Sequence, residues 1–255
     1  MSPVAVVTGG GSGIGAAAAA RLLEDGFDVV VAGRRLDRLE AVASELGERC
    51  RTVVMDVTDP QSVASAVGEI AVCDVLVNNA GGALGSDRVE VGKADDWRAM
   101  YESNVLGTLH VTQALLPALR RSPGATIVNV TSVAALVTYE GGAGYTAAKH
   151  AERALTETLR LELNGEQVRV VEVAPGMVHT EGFSLTRFHG DQARADSVYE
   201  GVDRPLRAED VAECIAFCVR LPQHVNVDRL EVKPVAQAAP HKLHRGPIGW
   251  AGQDH

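Results

Sequence analysis

Between residues 3 and 233, short runs built mainly of Val, Ala and Ile alternate with longer stretches in which apolar residues recur every three or four positions. Runs that are nearly continuous in hydrophobics suit strands covered on both faces, whereas the longer periodic stretches suit helices with one buried face. The pattern predicts strands at Pro3–Thr8, Phe27–Ala32, Arg51–Asp56, Asp74–Asn78, Ala125–Thr131, Val168–Ala174 and Arg229–Lys233. It predicts helices at Ile14–Asp25, Leu36–Leu46, Gln61–Glu69, Asp96–Leu119, Tyr145–Leu163 and Ala208–Leu221. Strand and helix in turn argue for an α/β fold: a doubly wound parallel sheet of about seven strands with helices on both faces. No linker or repeat interrupts residues 1–235, so one domain is expected there, followed by a tail over 236–255.

Composition narrows the class. With 255 residues, 46% hydrophobic and 22% charged, the chain has the makeup of a globular domain, and its 4% aromatic content leaves the core to Val, Ala and Leu. A net charge of −9 argues against a general nucleic-acid or anionic membrane surface. The first strand begins too early for a signal peptide, and no apolar run approaches the roughly 18 residues of a membrane span, so a cytoplasmic protein is expected. Cys50, Cys73, Cys214 and Cys218 lack CxxC spacing and read as buried apolar residues, with no disulfide and no metal expected. His241, His244 and His255, with Trp250, read as the composition of the tail.

Candidate chemistry collects at the carboxyl ends of the expected strands. The first strand runs into Gly9-Gly10-Gly11-Ser12-Gly13-Ile14-Gly15 and then an alanine-rich helix. Glycines there allow positive φ and close approach of a pyrophosphate to free helix N–H groups, so this strand–turn–helix context points to a dinucleotide. About twenty residues on, Arg34 and Arg35 stand where an acidic residue would favour a ribose 2′-hydroxyl; an Arg suits a 2′-phosphate, hence NADP(H) in preference to NAD(H). Asp56 ends the third strand, either to meet an adenine amino group or to cap the turn before Pro60, and Asn79-Ala80-Gly81 ends the fourth. Asn104 is a polar residue in an apolar helix and needs partners. Tyr145 and Lys149 are four apart, on one helix face, and a cation beside a phenol lowers its pKa toward a useful range. A loop of about thirty residues, roughly 176–207, carries Phe183, Arg187 and Phe188 and is expected to be a substrate lid. Arg187 either recognises a substrate carboxylate or joins a surface ion pair.

Taken together, TGGGSGIG at 8–15, NNAG at 78–81, Asn104, Ser132, YTAAK at 145–149 and Pro175-Gly176 resemble the short-chain dehydrogenase/reductase family. The resemblance implies a single-domain Rossmann fold and a catalytic set of Asn104, Ser132, Tyr145 and Lys149. It implies that Val57, Pro175, Gly176, Val178 and Thr180 join the cofactor site, and that the chain forms a homo-oligomer, a tetramer or dimer. NNAGGALG at 78–85, FSLTRFHGD at 183–191 and the stretch 221–237 are similar to the NADP-dependent 3-hydroxy acid dehydrogenase branch, whose members oxidise serine and allo-threonine. After Val178 the chain departs from that branch, reading His179-Thr180-Glu181-Gly182-Phe183.

The expected reaction is reversible hydride transfer between the nicotinamide and a secondary alcohol or ketone. The resemblance implies that Tyr145 exchanges the proton, Ser132 bonds the substrate oxygen, Lys149 depresses the Tyr145 pKa and holds the ribose, and Asn104 keeps a relaying water. Two rivals are a carbonyl reductase for a bulkier neutral ketone and a non-catalytic NADP-binding sensor, and the complete set Asn104, Ser132, Tyr145, Lys149 speaks against the sensor.

Overall fold

Along β1 (Val4–Thr8), alternate side chains point to opposite faces of the sheet, and both faces are covered. The structure is a computed structural model that describes residues 2–180 and 182–249; the expectations touching Glu181, Trp250 and His255 lie outside these residues. β1 lies inside a seven-stranded sheet with β2 (Asp28–Gly33), β3 (Cys50–Val54), β4 (Val75–Asn78), β5 (Ala125–Val130), β6 (Val168–Pro175) and β7 (Arg229–Val232). The order is β3-β2-β1-β4-β5-β6-β7 and every pair is parallel. The chain reverses its winding between β1 and β4, which opens a crevice beyond their carboxyl ends, the place where ligands bind in such sheets.

Ala5, Val7, Val29 and Val31 pack against α1 (Gly13–Glu24), α2 (Leu36–Leu46) and α9 (Ala208–Arg220). Val6, Val30, Leu76 and Ile127 pack on the other face against α3 (Pro60–Val67) and α5 (Gly107–Leu119). Each fully buried Val or Leu contributes about 1.5–3 kcal/mol relative to exposure, so the alternation holds both layers to the sheet. Arg169, in β6, is a buried charge among these hydrophobics. Its guanidinium donates to the carbonyls of Cys218, Val219, Leu221 and Val225 and thereby satisfies the C-terminal end of α9.

Three segments differ from the pattern read in the sequence. The expected helix Asp96–Leu119 is α4 (Ala94–Tyr101) and α5 joined by a π-helical turn, Glu102–Leu106, that holds Asn104. Periodicity cannot separate a π turn from an α-helix because it adds only one residue to the register. The segment expected to be a lid is no structureless loop, for it contains α7 (Phe183–Arg187) and α8 (Gln192–Ser197). Its two stems are tied by the bonds His179 N to Leu206 O at 2.7 Å and Leu206 N to Met177 O at 3.1 Å. In the tail, β8 (Gln237–Ala239) and β9 (Lys242–Leu243) form a small hairpin. Gln237 is buried, and its Oε1 accepts from Met177 N at 2.7 Å, so the hairpin reaches the strand end at Pro175-Gly176.

Candidate active site

Thr8, the last residue of β1, organises the crevice. Its Oγ1 accepts from the amides of Asn79 and Ala80, both at 2.9 Å, and its carbonyl accepts from Asn79 Nδ2 at 3.0 Å. The loop after β4 is thereby clamped to the glycine turn after β1. Gly9 and Gly13 have φ of 65° and 54°, a region that costs a side-chain-bearing residue about 1 kcal/mol or more. A Cβ on Gly15 would strike the Gly9 carbonyl oxygen and stand 2.7 Å from Asn79 Nδ2, and one on Gly13 would meet Thr180 Cγ2 at 3.3 Å. Only bare backbone fills this cradle. Ser12, before the first turn of α1, makes no capping bond with its side chain, so the N–H groups of that turn stay open to an anion. The cradle, with Ile14 packed into the core behind it, fits a dinucleotide pyrophosphate.

Arg34 and Arg35 are exposed at the start of α2, next to the end of β2. Burial works to raise the Asp56 carboxyl, yet hydrogen bonds from Thr58 N and Oγ1 and the nearby Arg34 leave it below the ordinary carboxylate value. Asp56 therefore does cap its turn, as one of its two readings had it, while Asp59 caps α3. Val57 lies beside Gly107, whose added Cβ would come within 2.7 Å of Val57 Cγ2, and its carbonyl is 3.0 Å from His110 Nδ1. Gly81 has φ 155°, and a Cβ there would strike Asn104 Oδ1.

Tyr145, Lys149 and Ser132 converge at the carboxyl ends of β5 and β6. Tyr145 and Lys149 lie on α6 (Ala143–Glu162), 8% and 5% exposed, and the Lys149 Nζ stands 5.9 Å from the centre of the Tyr145 ring. Ser132 Oγ accepts from Ala134 N at 3.1 Å, which caps the 3₁₀ turn Val133–Ala135, and donates to Pro175 O at 3.4 Å at the end of β6. Burial pushes the phenol up; Lys149 and Ser132 pull it down, but Tyr139 and Glu152 push against them, and the pKa stays above its ordinary value. Lys149 thus lowers the phenol as expected, but burial outweighs it and the net direction is upward. Lys149 Nζ donates to Glu152 Oε2 at 2.6 Å and to Val130 O at 3.2 Å. Burial alone would lower the Lys149 pKa, yet Glu152 and Tyr145 hold it above the ordinary lysine value.

Asn104 is fully buried and its side chain is spent on backbone: Nδ2 donates to Met100 O at 2.7 Å and Gly82 O at 2.9 Å, and Oδ1 accepts from Gly82 N at 3.1 Å. Its own carbonyl accepts from Thr108 Oγ1 at 2.9 Å. Asn104 therefore pins the loop after Gly81 to the π turn.

Around Tyr145, Phe183 from α7 packs edge-on with ring centres 5.9 Å apart, closing one side of the site. Arg187 donates through Nε to Gly85 O at 3.1 Å and through Nη2 to Gly141 O at 3.4 Å, and its guanidinium lies 5.8 Å from the centres of the Tyr139 and Phe188 rings. Neither a surface ion pair nor a free anion-binding fork describes it, since two of its nitrogens latch the lid to the rim. Thr180 sits against Gly13, and Val178 bridges to Leu206 at the lid stem. Thr8, Thr108, Glu152 and Gln237 were missed as site residues. Thr8 and Glu152 had a signal, a polar group at a strand end and an acid on the inward face of an apolar helix; Gln237 had none, because its partner is 60 positions away. Among the described residues no group of His, Cys, Asp and Glu is arranged to hold a metal, and no helix is long and apolar enough to cross a membrane.

The family described as short chain dehydrogenase matches residues 3–187. An uncharacterized oxidoreductase of Mycobacterium tuberculosis is 52% identical over 245 residues, 96% of each chain. Sulfoacetaldehyde reductase 2 of Chromohalobacter salexigens is 44% identical over 93% of this chain and 96% of its own. Among solved structures, the closed form of a serine dehydrogenase complexed with NADP+ superposes with a TM-score of 0.89 at 34% identity, covering 95% of this chain and 99% of that one. A family match across most of the chain, close relatives over nearly its full length and a site assembled at the switch point of a Rossmann sheet agree: this chain is an oxidoreductase of the short-chain dehydrogenase family.

Proposed function

We propose that the protein is an NADP(H)-dependent reductase and dehydrogenase for a small anionic alcohol–carbonyl pair, with a 3-hydroxy acid as the substrate class. The observation that carries this reading is the buried Tyr145–Lys149 pair, 5.9 Å from ammonium to ring centre, with Ser132 at the neighbouring strand end beside Pro175. When bound, the nicotinamide supplies or accepts the hydride. Gly9, Ser12, Gly13, Ile14 and Gly15 would hold the pyrophosphate, Arg34 and Arg35 the 2′-phosphate, and Asp56 and Val57 the adenine. Asn79, Ala80, Gly81, Pro175, Gly176, Val178 and Thr180 would line the ribose and nicotinamide, and Lys149 would reach the ribose hydroxyls.

Tyr145 gives its proton to the carbonyl oxygen in reduction and, as phenolate, takes the hydroxyl proton in oxidation. Ser132 donates to the same oxygen, and the Lys149 cation favours the phenolate against the cost of burial. Asn104 holds the π turn and the Gly81–Gly82 loop in register, so that the pocket keeps its shape. Proton exchange of this kind contributes about 10²–10⁴ in rate. Phe183 closes the lid against Tyr145 and keeps water out. The anionic substrate class rests on relatives named for serine and sulfoacetaldehyde, which share a charged group one or two carbons from the reacting centre. Arg187, latched to Gly85 and Gly141 beside Tyr145, adds a positive charge at the rim where that charged group would lie.

The free state of all four cysteines supports a reducing, cytoplasmic setting. Trp97 and Tyr101 of α4, 37% and 46% exposed, line an apolar recess with Ala147 and Ala148 of α6, which supports a homo-oligomer formed through these helices. The test is an assay with NADPH or NADH against sulfoacetaldehyde, 2-amino-3-oxo and other 3-oxo acids and neutral ketones, with Tyr145→Phe beside the wild type. The reading requires NADPH preference, selection of the acids over neutral ketones, and a loss of at least about 10²-fold on Tyr145→Phe. Undiminished turnover by that variant would falsify it.

A further inference from the structure

Glu152 is a buried acid beside the reacting residues whose chemistry the proposed reaction leaves unused. It lies on α6 one turn past Lys149, its side chain is 1% exposed, and its Oε2 takes the Lys149 ammonium at 2.6 Å. Oε1 is 3.3 Å from Thr108 Oγ1. That hydroxyl has a single proton and faces two acceptors, the other being Asn104 O at 2.9 Å. When Thr108 donates to Asn104, a proton on Glu152 completes the remaining contact; when Thr108 turns to Glu152, the carboxylate keeps its charge. The second buried acid nearby, Glu172 of β6, is not the counter-ion of Lys149. It accepts from Thr131 Oγ1 and from Arg229 Nε, each at 2.8 Å, and is neutralised from the β7 side.

We propose that Glu152 is a positioning residue for the proposed reaction, acting through Lys149: its buried carboxylate fixes the ammonium beneath the Tyr145 ring and sets the pH at which the Tyr145–Lys149 pair releases its proton. The inference rests on the hydride-transfer reading only for its kinetic consequence. A buried ammonium without a counter-ion is costly, and a carboxylate in contact with it keeps it charged. The same negative charge opposes formation of the phenolate. Tyr145 and Lys149 titrate as a pair, so removing one negative charge makes the next proton easier to lose, whichever group loses it. The other groups facing this pair, Tyr139, Glu172 and Arg229 behind it, are the same in every variant below.

The experiment compares wild type, Glu152→Gln and Glu152→Asp. Glu152→Leu removes the same charge without leaving an amide in an apolar site, and serves if the Gln variant does not fold. Without nucleotide, tyrosinate absorbance, taken as the difference from a Tyr145→Phe background, follows Tyr145, and competitive acetylation read by mass spectrometry follows Lys149. With NADPH and the preferred carbonyl substrate, the falling alkaline limb of kcat/KM reports loss of the proton from either group. Expected for Gln or Leu is an acid shift of about one pH unit or more in that limb and in one of the two nucleotide-free titrations. Asp, which keeps the charge, restores the wild-type limb. If neither titration moves, or if Gln and Leu lower the rate at every pH with the limb in place, Glu152 is only a packing residue and the proposal falls. If Tyr145→Phe proves active, the function reading fails while the two titrations still decide the role of Glu152.

Discussion

A phenol four residues from an ammonium reads in sequence as an activated acid, but in the folded protein burial wins and the phenol is raised. This has a signed consequence for the pH profile. Oxidation needs the phenolate, so its rate rises with pH and goes on rising into the alkaline range. Reduction needs the phenol and stays level across neutral pH, falling only in the alkaline range. Rates in both directions across pH check this, and an oxidation plateau near neutrality contradicts it. Thr8 offers a second test at the same scale. Thr8→Val keeps the shape of the side chain but removes the acceptor for the Asn79 and Ala80 amides. The expected loss is about 1–3 kcal/mol in urea denaturation, with weakened nucleotide binding, because the loop after β4 loses its clamp. Tyr145, Lys149 and Asp56 were legible from residue type and position. Glu152 was less legible: it stands on the same helix face, but an acid on a helix is solvated far more often than buried.

Among the elements, the glycine turn is the most exacting. Gly15→Ala puts a methyl into the Gly9 carbonyl and the Asn79 amide, neither of which can yield without moving β1 or β4. Its nucleotide affinity is expected to fall at least tenfold, measured by fluorescence titration with NADPH, while the fold persists. The π turn and the two lid helices were illegible for different reasons. One extra residue in a helix leaves the hydrophobic pattern nearly unchanged, whereas α7 and α8, at 5 and 6 residues, are too short for a period to be read. The hairpin β8–β9 connects to the site through Gln237. Gln237→Ala removes the acceptor of Met177 N and is expected to raise KM for the nucleotide several-fold with little change in kcat. A kcat effect of the same size would place Gln237 in the chemistry instead.

For the whole molecule, the sheet order decides which strand ends meet. β1 and β4 bring the glycine turn beside Asn79, and β5 and β6 bring Ser132 beside Pro175, so residues from 8 to 237 share one crevice. A ligand that binds only this assembled state must stabilise it. NADP+ at about 100 times its dissociation constant is expected to add about 2.7 kcal/mol, seen as a rise in Tm, with NAD+ adding less at equal concentration. Arg34→Ala is expected to remove most of that difference, and an unchanged difference would take Arg34 out of the 2′-phosphate site. The strands, the main helices, the glycine turn and the pair on α6 follow from local pattern, because burial on both faces and turn chemistry act over a few neighbouring residues. What only the tertiary structure decided is which groups are paired and which are left free: Lys149 held by Glu152, Arg187 spent on the rim, Asn104 spent on backbone, and Gln237 folded back onto Met177. Those pairings depend on distances between segments far apart in the chain and on the removal of water around them, and neither is written in local sequence.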